Sequence, residues 1–217
     1  MKLVIGNKNY SSWSLRPWLL MRVLELPFEE LLVPLYGPDS REQLRLHSPS
    51  GKVPTLHDEA VVIWDSLAIV EYLAEQYPGV AVWPPDAEVR AHARCVAAEM
   101  HSSFGALRTH MPMNLRASHP GKGHTPEVLA DIERIVAVWS DCRARFGSQG
   151  PFLFGDFTAA DAFYAPVVTR FKTYGVSLPA VCQAYADALL ALPAMQEWMA
   201  AGIAETHRIA ASEPYGQ

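Results

Sequence analysis

The sequence has no run of lysines and arginines, no CxxC pair, no histidines at metal-ligand spacing, and no apolar stretch of membrane-spanning length. Each absence closes off a class of function. With a net charge of -5 and no basic stripe, the chain offers no electrostatic footprint for phosphate backbones or anionic lipid. Nucleic acid and membrane surfaces are therefore not expected partners. A bilayer core demands about 20 consecutive apolar residues. The segment Met1 to Gly6 also lacks the long apolar region and cleavage site of a signal peptide, so the expected location is the cytoplasm. Cysteine is sparse: Cys95, Cys142 and Cys182 are far apart and sit in helical patterns, which reads as buried or half-buried thiols. The eight histidines show no HExxH-type spacing, and no metal site is expected.

What is present is the composition of an ordinary globular protein: 217 residues, half of them apolar and 19% charged. The first part alternates short strand and helix patterns. Strands are predicted at 2–6, 28–33, 55–56 and 60–63, with a turn at Asp58-Glu59. Helices are predicted from Ser14, taken as a cap with Pro17 in the first turn, and over 39–46 and 65–77. The order β-α-β-α-β-β-α predicts a small mixed sheet with helices packed on it, a thioredoxin-like arrangement. Pro78-Gly79 and Pro84-Pro85 then bracket a break, and strand signals disappear.

Two domains are expected, 1–79 and an all-helical 86–217. In the second, one long helix capped by Asp86 is predicted to carry Val89 through Phe104 and Leu107. Another starts at Thr125-Pro126, and Thr158 to Asp161 has capping-box spacing before a helix interrupted by Pro166. Pro179 and Pro193 start the last two.

Three segments carry candidate chemistry. Tyr10-Ser11-Ser12-Trp13-Ser14-Leu15-Arg16 lies between a strand and a helix, where free amides and the positive helix end favour an anion. A hydroxyl from Ser11 or Ser12 can donate to a thiolate and lower its pKa, although an ordinary loop and cap also use serines. Gly51 to Leu56 contains Val53-Pro54 at a strand entry. A cis bond there would turn the Val53 amide and carbonyl outward to pair with an extended peptide, and an edge-strand proline is the plainer alternative. Asp65-Ser66 offers a hydroxyl and free amides to a carboxylate, or simple N-capping.

In that order, the three segments resemble the glutathione transferase superfamily, and the resemblance extends over nearly the whole chain, with Asp156 and Thr158 to Asp161 like its helix-capping motif. The double serine and Arg16 look most like the zeta-class loop. Trp13 stands where those enzymes carry cysteine, which counts against maleylacetoacetate isomerisation and against cysteine-type mixed disulfides. The resemblance implies glutathione as co-substrate with no permanently bound cofactor, a homodimer, and transfer of the thiolate to a small hydrophobic electrophile. It assigns Ser11 first and Ser12 second to the thiolate, Val53 with Pro54 to the cysteinyl backbone, Asp65 and Ser66 to the γ-glutamyl end, and Lys52 or His47 to the glycyl carboxylate. Tyr10, Trp13, Phe104, Leu107, Arg108, Met111 and Met113 are candidates for the electrophile wall, and are equally good core residues. The alternatives are a glutathione-dependent isomerase or peroxidase, and a non-catalytic binding module.

Overall fold

A computed structural model describes residues 1–216. Four short strands form one sheet: β1 (Lys2–Ile5), β2 (Glu29–Leu32), β3 (Thr55–Asp58) and β4 (Val61–Trp64). Their order is β2-β1-β3-β4. β1 pairs with β2 in parallel and with β3 antiparallel, and β3 and β4 form the hairpin, with Glu59 in its turn at positive φ. The parallel pair requires a crossover, supplied by α1 (Ser12–Val23). α2 (Ser40–His47) and α3 (Ser66–Gln76) complete this part, so the mixed sheet read from the sequence is the observed one.

Among the described residues six further α-helices follow: α4 (Ala87–Ser102), α5 (Gly105–His110), α6 (Pro126–Phe146), α7 (Ala159–Tyr174), α8 (Ala180–Leu190) and α9 (Pro193–Ala204). No described helix is long and apolar enough to cross a membrane. α7 packs on α1, α4 and α8, and of its residues only Lys172 is not buried. α1 is enclosed between the sheet side and helices α7 and α9, which explains why it has no polar face. A single apolar cluster joins Leu3 and Ile5 of the sheet to Trp18 of α1 and Phe163 of α7.

Local physics corrects several expectations. Ser11 caps α1 in place of Ser14, accepting from the Ser14 amide, so Pro17 falls well inside the helix. The helix expected to run through Phe104 and Leu107 breaks at Ser103, because Phe104 adopts the left-handed region at φ 63° and restarts the chain as α5. Burial of the Phe104 ring holds a conformation that a bulky residue avoids. α7 does not break at Pro166, where the chain continues helical to Tyr174. Its neighbours enclose it on all sides, and Thr169 and Arg170 donate to the Pro166 carbonyl. The capping box is formed, with Asp161 accepting from the Thr158 amide at 2.8 Å and from Leu153 at 3.0 Å. Cys142 and Cys182 are buried, whereas Cys95 is exposed on α4.

Candidate active site

The loop 7–11 between β1 and α1 is polar but buried, so its groups need partners, and the rest of the chain supplies them. The two oxygens of Glu205 accept from the Lys8 amide at 2.6 Å and the Asn9 amide at 3.2 Å. Asn9 Nδ2 donates to Asn114 Oδ1 at 2.9 Å, and Asn9 Oδ1 accepts from the Arg116 amide at 3.1 Å. Trp198 Nε1 donates to the Lys8 carbonyl, and Asn7 Oδ1 accepts from Leu35. Segments distant in sequence thus fix the start of α1.

At that start the two serines differ. Ser11 Oγ donates to Ser14 Oγ at 2.8 Å and accepts from the Ser14 amide, so its proton is committed to the cap. Ser12 Oγ accepts at 3.2 Å from Nη2 of Arg170, a residue of α7 that is only 4% exposed. A hydroxyl that accepts from a guanidinium keeps its own proton free to donate. Tyr10, beside them, donates to Glu213 Oε1 at 2.5 Å, and burial followed by that carboxylate raises its pKa. Its phenol therefore stays protonated and faces the carboxy-terminal segment.

Three adjoining cavities open around this point, and Trp13 and Val53 line all of them. The first, about 480 Å³, is bounded by Lys52, Pro54, Trp64, Asp65 and Ser66. The second, about 260 Å³, holds both serines, Arg108 and Arg170 with Leu35, Met113 and Ile209. The third, about 500 Å³, adds Arg41 and Leu44 of α2 to Lys52. The Val53-Pro54 bond is cis.

Asp65 adopts φ 76° and ψ 135° while its side chain caps α3 through the Leu67 amide at 2.8 Å. Such a backbone costs about 1–3 kcal/mol and is kept where the surroundings demand it. Behind the helix start lies Arg16, fully buried, with Nη1 near Ser66 Oγ at 3.4 Å and His101 Nδ1 at 3.5 Å. Its Nε and Nη2 have no hydrogen-bond partner among the described residues, and the guanidinium instead stacks on Trp13 at 4.3 Å and Phe163 at 4.8 Å. Burial, then Arg108 and Arg170, hold its pKa well below the usual range. His101 also has a lowered pKa, chiefly by burial, although Asp65 lies 3.4 Å from its Nε2. A neutral His101 with the proton on Nε2 satisfies both neighbours, donating to Asp65 and accepting from Arg16. The site is thus a cationic recess in a protein of negative net charge.

Two family models match the chain: the glutathione S-transferase N-terminal domain over residues 10–76 and the C-terminal domain over 122–201. It is 37% identical to a probable maleylacetoacetate isomerase of Caenorhabditis elegans, over 77% of this chain and 78% of that protein. The maleylacetoacetate isomerase of Pseudomonas aeruginosa is 30% identical, over 83% and 85%. The chain belongs to the glutathione S-transferase family. Among solved structures, a glutathione transferase homolog from Burkholderia gl BGR1 with bound glutathione superposes with a TM-score of 0.69 at 25% identity, covering 94% of this chain and 98% of that one.

Of the residues the sequence singled out, this glutathione S-transferase fold brings Tyr10, Ser11, Ser12, Trp13, Val53, Arg108 and Met113 around the second cavity. Lys52, Pro54, Asp65 and Ser66 gather around the first. His47 lines none of the three; its carbonyl pairs with His57 Nε2 at 2.7 Å. Phe104, Leu107 and Met111 are buried in the core and do not line the cavities either. Sequence reasoning missed Arg170, His101, Arg41 and the segment around Ile209 and Ser212. A signal for the first was available, since Arg170 is a cation in the largely apolar stretch 162–171.

Proposed function

We propose that the chain binds glutathione across the first and third cavities, ionises its thiol at Ser12, and delivers the thiolate to a small electrophile in the second. The observation that carries this reading is the Ser12 hydroxyl, which accepts from Arg170 at the positive start of α1 and borders the cavity with its proton free. Ser12 therefore takes precedence over Ser11. Asp65 and Ser66 take the γ-glutamyl end, with the buried Arg16 adding positive potential to its carboxylate. Val53 pairs with the cysteinyl backbone, and Lys52 with Arg41 takes the glycyl carboxylate. In this division, 1–79 binds glutathione and 86–217 supplies the wall facing the electrophile through Arg108, Arg170 and Ile209. The reading includes a homodimer in the cytoplasm, as the sequence resemblance implies; sedimentation analysis of the purified chain checks the dimer.

A second reading, isomerisation of an unsaturated carboxylate with glutathione returned unchanged, draws support from the two isomerases named above and from one feature of the site. Arg108 and Arg170 line the second cavity, and among the described residues no carboxylate does. Product analysis separates the two. With glutathione and a panel of aryl halides and cis-unsaturated carboxylates, a retained glutathione adduct supports transfer, and a trans product with glutathione unconsumed supports isomerisation. Oxidised glutathione with a hydroperoxide would point to reductive chemistry. Saturable glutathione binding with none of these products contradicts both readings and leaves a binding module.

A further inference from the structure

Arg170 is an unusual residue to find inside α7. Burial, with Arg108 beside it, pushes its pKa down to about 9, and among the described residues no carboxylate pairs with it. Its hydrogen-bond partners are two carbonyls and one hydroxyl: Nε donates to Met111 at 2.9 Å, Nη1 to Pro166 at 3.2 Å and Nη2 to Ser12 Oγ at 3.2 Å. The carbonyls lie on two different segments, one leaving α5 and one in α7 itself, so they clamp the rigid guanidinium from two sides. The third nitrogen is thereby held at the serine, across 158 positions of sequence.

We infer that Arg170 is a positioning residue for thiol ionisation, acting through Ser12. The inference rests on the reading that Ser12 faces the thiol. A donor fixed on the Ser12 oxygen occupies a lone pair and leaves the hydroxyl proton to point into the cavity. It also polarises the O–H bond, so that the chain from guanidinium to hydroxyl to sulfur stabilises the ionised sulfur more than a lone serine does. No bond is made or broken at Arg170; the thiol proton leaves to solvent. The charged and titratable groups around it are Arg108 on α5, Arg16 on α1, and Tyr174 on its own helix. The two arginines add positive potential, but it is Arg170 that bonds the serine.

The test is a double-mutant cycle on the glutathione-saturated protein, following thiolate absorbance against pH. Ser12→Ala, Arg170→Gln and the pair are compared with wild type, with glutathione affinity and melting temperature measured alongside. Arg170→Gln is expected to raise the bound thiol pKa by about one unit or more, and the pair to rise no further than Ser12→Ala alone, because one group acts through the other. Arg170→Lys keeps the charge without the fork and should give a smaller rise; it carries the cycle if the glutamine variant fails to fold. Shifts that add would mean that Arg170 acts on the sulfur through space, and would overturn the inference. So would an unshifted pKa in folded Arg170 variants beside a shifted one in Ser12→Ala, which would leave Arg170 a purely structural clamp. An unshifted pKa in Ser12→Ala would remove the serine assignment itself, and the inference with it.

Discussion

Two neighbouring serines at one helix start are not interchangeable, because a hydroxyl has one proton to give. Ser11 gives its proton to Ser14 and stabilises the helix; Ser12 receives one from Arg170 and keeps its own. Ser11→Ala is therefore expected to cost about 0.5–2 kcal/mol of stability through the lost cap, visible in the urea midpoint, with a modest effect on turnover. Ser12→Ala should lower kcat about a hundredfold, the scale of removing one donor from a developing charge, and also cost about 1–3 kcal/mol of stability, because it leaves the buried Arg170 Nη2 without its partner. His101 gives a pH prediction. Its folded pKa is lowered by burial and by Arg16 and Arg108, so the folded chain holds fewer protons at this ring than the unfolded chain does. The stability it contributes is full above the ordinary imidazole value of about 6.5 and is lost as pH falls through the lowered value. Melting curves should show wild type losing stability on the acid side faster than His101→Gln. The sequence offered Ser11 and Ser12 together as candidate donors at one helix start and could not separate them, because the Arg170 contact that sets their hydrogen bonding apart lies 158 residues away.

At the scale of elements, the order of strands and helices up to Gln76 was legible because each carries its own period and its own cap. The misreadings share a cause: an enclosed environment overrode a local preference. α7 tolerates Pro166 because packing on three helices outweighs one lost backbone bond, and Phe104 holds a left-handed backbone because its ring is buried. The same enclosure makes Asp161 costly to remove. Its carboxylate serves the Leu153 and Thr158 amides and the Thr158 hydroxyl, all buried. Asp161→Ala is expected to destabilise by about 2–3 kcal/mol, since orphaned buried donors carry the full desolvation penalty. Chemical denaturation checks this, and a loss below about 0.5 kcal/mol would contradict the capping account.

Across the whole molecule, the site is assembled from both ends of the chain. Glu205 and Glu213, near the carboxy terminus, hold the Lys8–Asn9 amides and Tyr10, and Arg116 bridges Tyr10 and Glu213 with an ion pair at 3.3 Å. Ile209 and Ser212 then close the second cavity. Nothing in the composition of residues 205–216 marked them as part of a site, because their role arises only when the segment folds back against the loop at Lys8 to Tyr10. Glu213→Ala is expected to loosen this segment, raising the KM for the electrophile and the rate of proteolysis near the carboxy terminus, while the pKa of the bound thiol stays put. Equal proteolysis of variant and wild type would count against that closure.

Ionisation of the glutathione thiol at Ser12 is tested most directly by the thiolate absorbance of bound glutathione, titrated against pH in wild type, Ser11→Ala and Ser12→Ala. The expected result is a thiol pKa well below that of free glutathione in wild type and Ser11→Ala, returning toward the free value in Ser12→Ala. A bound thiol that titrates like free glutathione in wild type, at saturation, would contradict it.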